Sequence, residues 1–463
     1  MGLRKFIGDK KFYKTLLLVA LPIVLQNGIT SFVSLLDNIM VGQVGTEQMS
    51  GVAIANQLIF VFNLCIFGGI SGAGIFTSQF HGAGNPDGVR QTFRFKLIVC
   101  GILSVIFLTV FSLFDEQLIS LYLHESDGSG DIAKTLMYSV EYFKIMLIGL
   151  IPFAITMSYV GTLRETGHTM LPMIAGIVAV FVNLIFNWLL IFGNLGFPAL
   201  GVNGAAVATV LSRFVELAIV VLWTHINHAK APFIKGAYKG FHIDGSLAKQ
   251  IVKKGTPLMM NEMLWSIGMT TIVQCYSMRG LTAIAAINIS STLSNLFNIV
   301  MMAMGNAIAI IVGNLLGAGK MKEAKETDTK IIATSFVSCL IIGTLLFILA
   351  PLFPSLYNTT DDVRELAAIF LRISACVMPI QAINHGCYFT LRSGGKTFIT
   401  FLFDSAFIWI ICIPPAYCMA HFTAIGVVAM YIIVQCFELI KSVGGITLVK
   451  KGIWLNNMVA ENK

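Results

Sequence analysis

Residues 15–40 read TLLLVALPIVLQNGITSFVSLLDNIM, and Asp37 is the only ionisable side chain in this stretch. An α-helix needs about 20 predominantly apolar residues to cross the hydrocarbon core of a bilayer. Basic residues up to Lys14 precede the stretch, as in a signal peptide, but no small-x-small cleavage site follows it. The sequence therefore predicts a first membrane span that is retained.

The composition extends this expectation to the whole chain. Of 463 residues, 56% are hydrophobic and 12% are charged, against roughly 25% charged residues in an average soluble domain. So few charges cannot cover the surface of a soluble globule of this length. The formal charge of +8 is typical of some nucleic-acid-binding proteins, but here the basic residues lie in loops between apolar stretches. We therefore expect a lipid bilayer as the surrounding partner, and no nucleic acid.

Twelve apolar stretches, bounded by glycine, proline or clusters of charge, predict an all-α integral membrane protein with twelve transmembrane helices. Most of the 31 Lys and Arg residues lie in every second loop, and the positive-inside rule places these loops and both termini in the cytoplasm. An even number of spans requires the same. The predicted spans lie near residues 15–40, 52–76, 93–114, 138–163, 170–192, 204–224, 256–278, 281–312, 331–352, 367–389, 398–418 and 425–443.

The two halves of the chain resemble each other at matching positions. Because each half has six spans, the repeats have parallel topology, which predicts two six-helix lobes around a central cleft. We assign residues 1–226 to an N-terminal lobe, 227–254 to a cytoplasmic linker and 255–463 to a C-terminal lobe. The matching pairs are Pro22 and Pro257, Gly45 and Gly280, Gly82 and Gly317, Arg164 and Arg392, and Glu216 and Glu438.

Asp37 has no basic neighbour at helical spacing and lies in the outer half of the predicted N-terminal lobe. Asn183 and Asn187, one turn apart on the fifth span, and Thr209 on the sixth span lie at a similar depth. Carboxylate, amide and hydroxyl oxygens are ligands for Na⁺, and a carboxyl group in an apolar setting can carry a transferable proton. We predict a site for a coupling ion, H⁺ or Na⁺, at these four residues; the alternative is a satisfied polar core. The repeat favours function, because the equivalent positions of the other half are Ile272, Ile411, Pro415 and Tyr431.

A second group of polar residues lies in the predicted C-terminal lobe, nearer the cytoplasm. Ionisable groups inside a bilayer are costly and are often functional, so we predict a cleft for substrate or protons here. A histidine buried in the core is the alternative for His385. The residues of this group are Asn261, Glu262, Trp265, Asn384, His385 and Asp404.

Two further acidic residues lie close to basic residues of the same span. Glu216 follows Arg213 by three positions, and Glu438 precedes Lys441 by three. Because residues three apart are neighbours on a helix, we predict an ion pair within each helix.

Motifs of enzymes are missing from the sequence. Gly394-Gly395-Lys396-Thr397 resembles the end of a phosphate-binding loop, but Thr390 stands in place of its first glycine. The nine cysteines form no CxxC pair, so we expect neither disulfides nor a structural metal site. The chain is predicted not to be an enzyme and to need no cofactor besides the coupling ion.

Several motifs carry a family resemblance. The chain has LP at 21–22, LDNIMVG at 36–42, GAG at both 72–74 and 82–84, and GTLRETG at 161–167. Together they resemble the multidrug and toxic compound extrusion (MATE) family of cation-coupled antiporters, over nearly the whole chain. The resemblance implies two six-helix lobes in a V shape. It also implies that the aspartate matching Asp37 binds the coupling H⁺ or Na⁺, with partners matching Asn183, Asn187 and Thr209.

The sequence departs from that family at two places. Members often have an aspartate at the position of Asn187, so the site here carries one carboxylate. In another branch, carboxylates on the seventh and tenth spans matter; Glu262 resembles the first of these, but no acidic residue lies between Glu365 and Asp404. The neighbourhood of Glu262 resembles a bacterial subgroup.

The expected function is therefore export of amphipathic, cationic drugs across a bacterial cytoplasmic membrane by alternating access, driven by entry of H⁺ or Na⁺. The alternative is a flippase for lipids or lipid-linked saccharides of the same superfamily, which should carry more charged residues in its cleft. A major-facilitator carrier is disfavoured because the loop at residues 81–91 lacks that group's motif. We expect a monomer.

Overall fold

The computed structural model describes residues 5–123, 131–240, 242–357 and 359–460, and within these ranges the chain is helical with no β-strand. Three short 3₁₀ turns lie at Asn194–Gly196, Pro232–Ile234 and Pro354–Leu356, and two π-helical turns at Leu402–Ala406 and Ile408–Cys412. The α-helices are α1 (Lys10–Gly42), α2 (Thr46–Gly82), α3 (Pro86–Leu113), α4 (Asp115–Ser120), α5 (Ile132–Ile148), α6 (Leu150–Glu165), α7 (Met170–Phe192), α8 (Val202–Ile226), α9 (Gly245–Ser277), α10 (Leu281–Gly317), α11 (Met321–Leu349), α12 (Asp361–Ser393), α13 (Thr397–Phe401), α14 (Ile413–Phe422) and α15 (Val427–Lys450).

Every predicted span corresponds to one helix or to one interrupted helix. Among the described residues, ten helices are long and apolar enough to cross a membrane, and α5 with α6 makes an eleventh, bent by 46°. The bend lies at Gly149, one turn before Pro152, which cannot donate the helical hydrogen bond to Ile148. Helix α9 lies at the seventh predicted span and falls outside this set, since its apolar run is interrupted by residues such as Asn261 and Glu262.

The described helices group into two compact units. One unit comprises Leu25–Thr77 and Pro86–Gln250, and its core contains an aromatic row. Phe107 of α3 contacts Phe62 of α2 and Phe111, with ring centroids 5.4 and 5.1 Å apart, and Phe111 lies 5.1 Å from Phe143 of α5. The row joins the three helices α2, α3 and α5 of this unit.

The other unit comprises Met1–Val24, Ser78–Asn85 and Ile251–Lys463, so it includes the first half of α1 and the last turn of α2. In its core, the Tyr431 ring of α15 lies 4.7 Å from Phe370 of α12 and 5.6 Å from Tyr276 of α9. Trp454, beyond the end of α15, is completely buried. The segment after α15 is thus a packed part of this unit.

A single amide side chain holds that segment against the end of α2. Gln79, fully buried, donates through Nε2 to the carbonyl oxygens of Ser393 (3.0 Å) and Asn456 (3.2 Å). Its Oε1 accepts a hydrogen bond from the backbone nitrogen of Met458 at 2.8 Å. Gln79 thereby joins the end of α12 to the segment that follows α15.

The GAG triplets at residues 82–84 and 317–319 occupy matching positions in the two repeats. Their first glycines explain how the ends of α2 and α10 come so close. A Cβ atom on Gly317 would overlap the backbone carbonyl of Gln79, and one on Gly82 would overlap that of Asn314. Both positions therefore require glycine, because neither backbone can move aside without breaking its helix.

The segment that follows α8 lies against α3 rather than free in solvent. The guanidinium of Arg94 donates to the carbonyl oxygens of Gly236 (2.6 Å), Ala237 (2.8 Å), His242 (2.9 Å) and Lys239 (3.2 Å). One side chain thus satisfies four carbonyl groups of the predicted linker.

Candidate functional site

The four residues predicted to bind the coupling ion are connected by hydrogen bonds through the two asparagines. Asn187 Nδ2 donates to Asp37 Oδ1 at 2.7 Å and lies 3.2 Å from Asn183 Oδ1. Asn183 and Asn187 face the same side of α7 and are 6% and 1% exposed. Thr209 of α8 completes the group. The structure therefore brings together side chains from α1, α7 and α8.

The Asn183 side chain links Asp37 to Thr209 when its amide oxygen and nitrogen exchange places. In one orientation its Nδ2 donates to Thr209 Oγ1 at 3.2 Å. With oxygen and nitrogen exchanged, Nδ2 donates to Asp37 Oδ2 at 2.9 Å and Oδ1 accepts from Thr209 Oγ1 at 3.2 Å. The exchanged orientation satisfies both carboxylate oxygens and is the better hydrogen-bonding arrangement.

One acceptor in this group has no donor. Within the described part of the chain, Asn187 Oδ1 is buried and has no hydrogen-bond partner, and Asp37 forms no ion pair. An unsatisfied buried amide oxygen costs about 1 to 3 kcal/mol. A carboxylate and an amide oxygen without a donor together form a site at which a small cation or a proton can bind.

A second polar network joins α9, the π-helical turn and α15. Asn261 Nδ2 donates to Asp404 Oδ2 at 3.0 Å, and Ser405 Oγ donates to Asn261 Oδ1 at 2.7 Å. The other oxygen of Asp404, Oδ1, accepts from Lys441 Nζ at 2.7 Å. The π-helical turn at Leu402–Ala406 contains both Asp404 and Ser405, and such turns are frequent at functional sites.

Glu262 borders this network without an ion pair of its own in the described residues. Its Oε1 accepts a hydrogen bond from the Tyr388 hydroxyl at 3.2 Å, and Asn261 Nδ2 lies 3.4 Å from the same hydroxyl. Tyr388 therefore connects Glu262 with the Asp404 side of the network. These distances bring together Glu262, Asn261 and Asp404, three residues of the predicted cleft.

The remaining residues of the predicted cleft differ in their surroundings. Asn384 is buried and donates to Glu438 Oε2 at 2.6 Å. His385 lies beside the rings of Tyr388 and Phe389, at 6.2 and 5.0 Å between centroids, and among the described residues its buried Nε2 has no hydrogen-bond partner. Trp265 is 42% exposed and has no hydrogen bond to the network in the described part of the chain.

The two ion pairs predicted within helices are wrong. Lys441 pairs with Asp404 instead of Glu438. Arg213 donates to the carbonyl oxygen of Gly149 at 3.1 Å and lies over the Phe153 ring at 5.1 Å, and it forms no ion pair with Glu216 among the described residues. In each case the basic side chain contacts another part of the same unit instead of the acidic residue three positions away on its own helix.

Sequence reasoning missed three members of the second network and one buried acid. Lys441 is expected to pair with Glu438 on its own helix, and Tyr388 and Ser405 carry no charge that marks them as members of a polar network. Asp328, expected in a loop, lies in α11, is completely buried and accepts from Thr390 Oγ1 at 2.5 Å.

Comparisons with known proteins agree with this architecture. A family model described as MatE matches residues 22–189 and 257–418. A "probable multidrug resistance protein NorM" of Thermotoga maritima is 26% identical over 90% of this chain and 88% of its own length. A "probable multidrug resistance protein YoeA" of Bacillus subtilis is 22% identical over 91% and 89%. The crystal structure of a Vibrio cholerae MATE transporter, in a variant with an aspartate replaced by asparagine, matches with a TM-score of 0.83 at 20% identity, covering 96% of this chain and 98% of that one.

With only helices among the described residues and this series of spans, the chain is a multi-pass membrane protein, and the predicted fold class is confirmed. The match to the family model covers most of the chain, so the chain belongs to the MatE family. The resemblance stated from the sequence motifs is thereby confirmed.

Proposed function

We propose that the protein exports amphipathic organic cations in exchange for H⁺ or Na⁺, with Asp37 as the coupling residue. The names of the relatives, which describe multidrug resistance proteins, support the export of drugs. The observation that carries the coupling role is the group of Asp37, Asn183, Asn187 and Thr209, in which one buried amide oxygen has no donor. The matching positions of the other repeat carry no carboxylate or amide.

Binding of the ion would change the charge and the hydrogen bonding of this group. With H⁺, the Asp37 carboxyl becomes neutral and one of its oxygens donates, so the asparagine amide that faces the protonated oxygen must present its own oxygen instead of its nitrogen. With Na⁺, the carboxylate and the open Asn187 oxygen would become ligands, and the oxygens of Asn183 and Thr209 are the further candidates in the same group. In either case the ion drives transport by favouring one conformation over the other.

The Glu262 network is proposed to handle the substrate or a second proton. A carboxylate that has no ion pair among the described residues attracts an organic cation, and the Tyr388 hydroxyl that donates to it fixes its orientation. Loss of charge at Glu262 should therefore weaken substrate binding while Asp37 still binds the ion.

The remaining assignments follow the sequence. We propose that the protein acts as a monomer in the bacterial cytoplasmic membrane, with both termini in the cytoplasm. Residues 1–226 and 255–463 serve as the two transporting lobes, joined by the linker 227–254. The site alternates between exposure to the outside and to the cytoplasm.

The test is efflux of a fluorescent lipophilic cation from proteoliposomes, with a proton gradient and a sodium gradient imposed separately on the wild-type protein. Efflux under only one gradient identifies the ion. Absence of efflux under both gradients would contradict the proposal. It would favour the alternative, a flippase for lipids or lipid-linked saccharides, which can be tested in the same vesicles with labelled lipid.

A further inference from the structure

The ammonium group of Lys441 occupies a cage that is suited to an organic cation. Its Nζ lies 2.7 Å from Asp404 Oδ1, 5.3 Å from the centre of the Phe403 ring and 6.0 Å from that of Phe407. The side chains of Lys441 and Asp404 are 9% and 15% exposed. A carboxylate with two aromatic faces is an arrangement that proteins use to bind alkylammonium groups.

Asp404 is also held in place independently of the lysine. Asn261 Nδ2 donates to its second oxygen at 3.0 Å, and Ser405 of the same π-helical turn is bonded to Asn261 through both its backbone nitrogen and its hydroxyl. The carboxylate therefore keeps its position when the ammonium leaves. The cage is preorganised for a cation.

The other repeat contains no equivalent of this cage. When the repeats are aligned, Glu438 matches Glu216 and Arg392 matches Arg164. The same two sequence offsets match Lys441 with Ile219 and Asp404 with Gly176. A feature needed only to pack six helices should occur in both repeats. The ion pair occurs in one, which favours a role in binding.

A second carboxylate offers an alternative position for the lysine. Glu438 precedes Lys441 by three residues on α15, within reach of its ammonium group. In the structure Glu438 instead accepts from Asn384 at 2.6 Å. Lys441 could therefore turn from Asp404 to Glu438 without leaving a buried charge unpaired.

We propose that Asp404, Phe403 and Phe407 bind the cationic group of the transported substrate, and that Lys441 is a tethered competitor that occupies this place when substrate is absent. This inference rests on the proposed export of organic cations. It assigns the substrate an ammonium or similar monocationic group, and it makes Lys441 a specificity-determining residue, because only a cation that displaces it can bind.

The test replaces the tethered ammonium with a free one. Lys441→Ala opens the cage and leaves Asp404 unpaired, so the purified variant should unfold at a lower temperature than wild type. Propylammonium at millimolar concentration should restore much of that loss, whereas Na⁺ at equal ionic strength should not. Wild type should not respond, because Lys441 fills the site. Lys254→Ala is the matched control, since Lys254 of the same unit donates to a carbonyl oxygen, that of Gly395, at 2.8 Å.

A double variant, Asp404→Asn with Lys441→Ala, locates the effect. It removes both charges, so it should be more stable than the single variant and should not respond to propylammonium. If Lys441→Ala can be purified only when propylammonium is present, that result also supports binding of the amine in the cage. If the single variant is lost regardless of the amine while the double variant folds, or if neither single nor double variant responds, the proposal is overturned. A response shared by the double variant would also overturn it.

Transport supplies a separate readout. Lys441→Met should lower the KM for efflux of a monocationic dye about tenfold, because the competing ammonium is gone. An unchanged KM in a protein that does transport the dye would contradict the competitor role. If wild type shows no gradient-driven efflux while Lys441→Ala responds to propylammonium, the proposed transport function fails and the ammonium site stands.

Discussion

Arg94 is predicted to determine whether the segment after α8 stays attached to α3. Its guanidinium donates to four carbonyl oxygens of residues 236–242, at 2.6 to 3.2 Å. Hydrogen bonds from a charged donor contribute about 1.5 to 3 kcal/mol each, but water can replace the arginine at the exposed carbonyl groups. We therefore expect Arg94→Ala to lower the free energy of detaching the segment by the value of two bonds, roughly 3 kcal/mol. At 1.4 kcal/mol per factor of ten, the detached state becomes roughly 100-fold more populated.

Trypsin measures this population directly, because Lys235 and Lys239 lie in the segment and their side chains are exposed. When detachment is fast relative to cleavage, the cleavage rate follows the population of the detached state. Arg94→Ala should therefore be cut at these lysines far faster than wild type. Arg94→Lys keeps the charge but lacks the guanidinium fork, so its rate should lie between the two. Equal cleavage rates in wild type and Arg94→Ala would refute this account of the linker.

Two further predictions concern the close approach at the end of α2. Gly317→Val places side-chain atoms where the Gln79 carbonyl lies, so little folded protein should be recovered from membranes; Gly444→Ala, whose Cβ has no neighbour within 4 Å, should be recovered like wild type. Good yield of folded Gly317→Val would contradict the packing. Gln79→Ala removes three hydrogen bonds from a buried amide to the backbone, and we expect a loss of about 3 kcal/mol in unfolding free energy. Chemical unfolding in detergent checks this value, and a change under about 0.5 kcal/mol, the range of an ordinary surface substitution, would disprove it.

The helices could be predicted from the sequence because a membrane span is determined by its own composition. Each apolar stretch of about 20 residues must satisfy its backbone hydrogen bonds internally, whatever its neighbours are. Helix α9 shows the limit of this reasoning, since its polar residues lower its hydropathy although it extends over Gly245–Ser277. The π-helical turns around Asp404 had no sequence signature, because an extra residue in a helical turn changes no pattern of composition.

The candidate coupling site could be assembled because depth and helical spacing place Asp37, Asn183 and Asn187 without knowledge of helix packing. Lys441 shows why the same reasoning failed elsewhere. Spacing along α15 indicates that Lys441 can reach Glu438, but the choice of Asp404 depends on which helix lies opposite. That information resides in tertiary packing and not in the helical pattern.

The role of Asp37 is the central claim, and gradient-driven efflux by Asp37→Asn tests it most directly. Asparagine keeps the size of the side chain and can still accept from Asn187, so the variant should fold and insert like wild type. Glu141→Gln is the matched control, because Glu141 is an exposed carboxylate of α5 that accepts from Asn203 at 2.9 Å. The account predicts that Asp37→Asn loses efflux under the gradient that drives wild type, while Glu141→Gln retains it. Full gradient-driven efflux by Asp37→Asn would contradict the account.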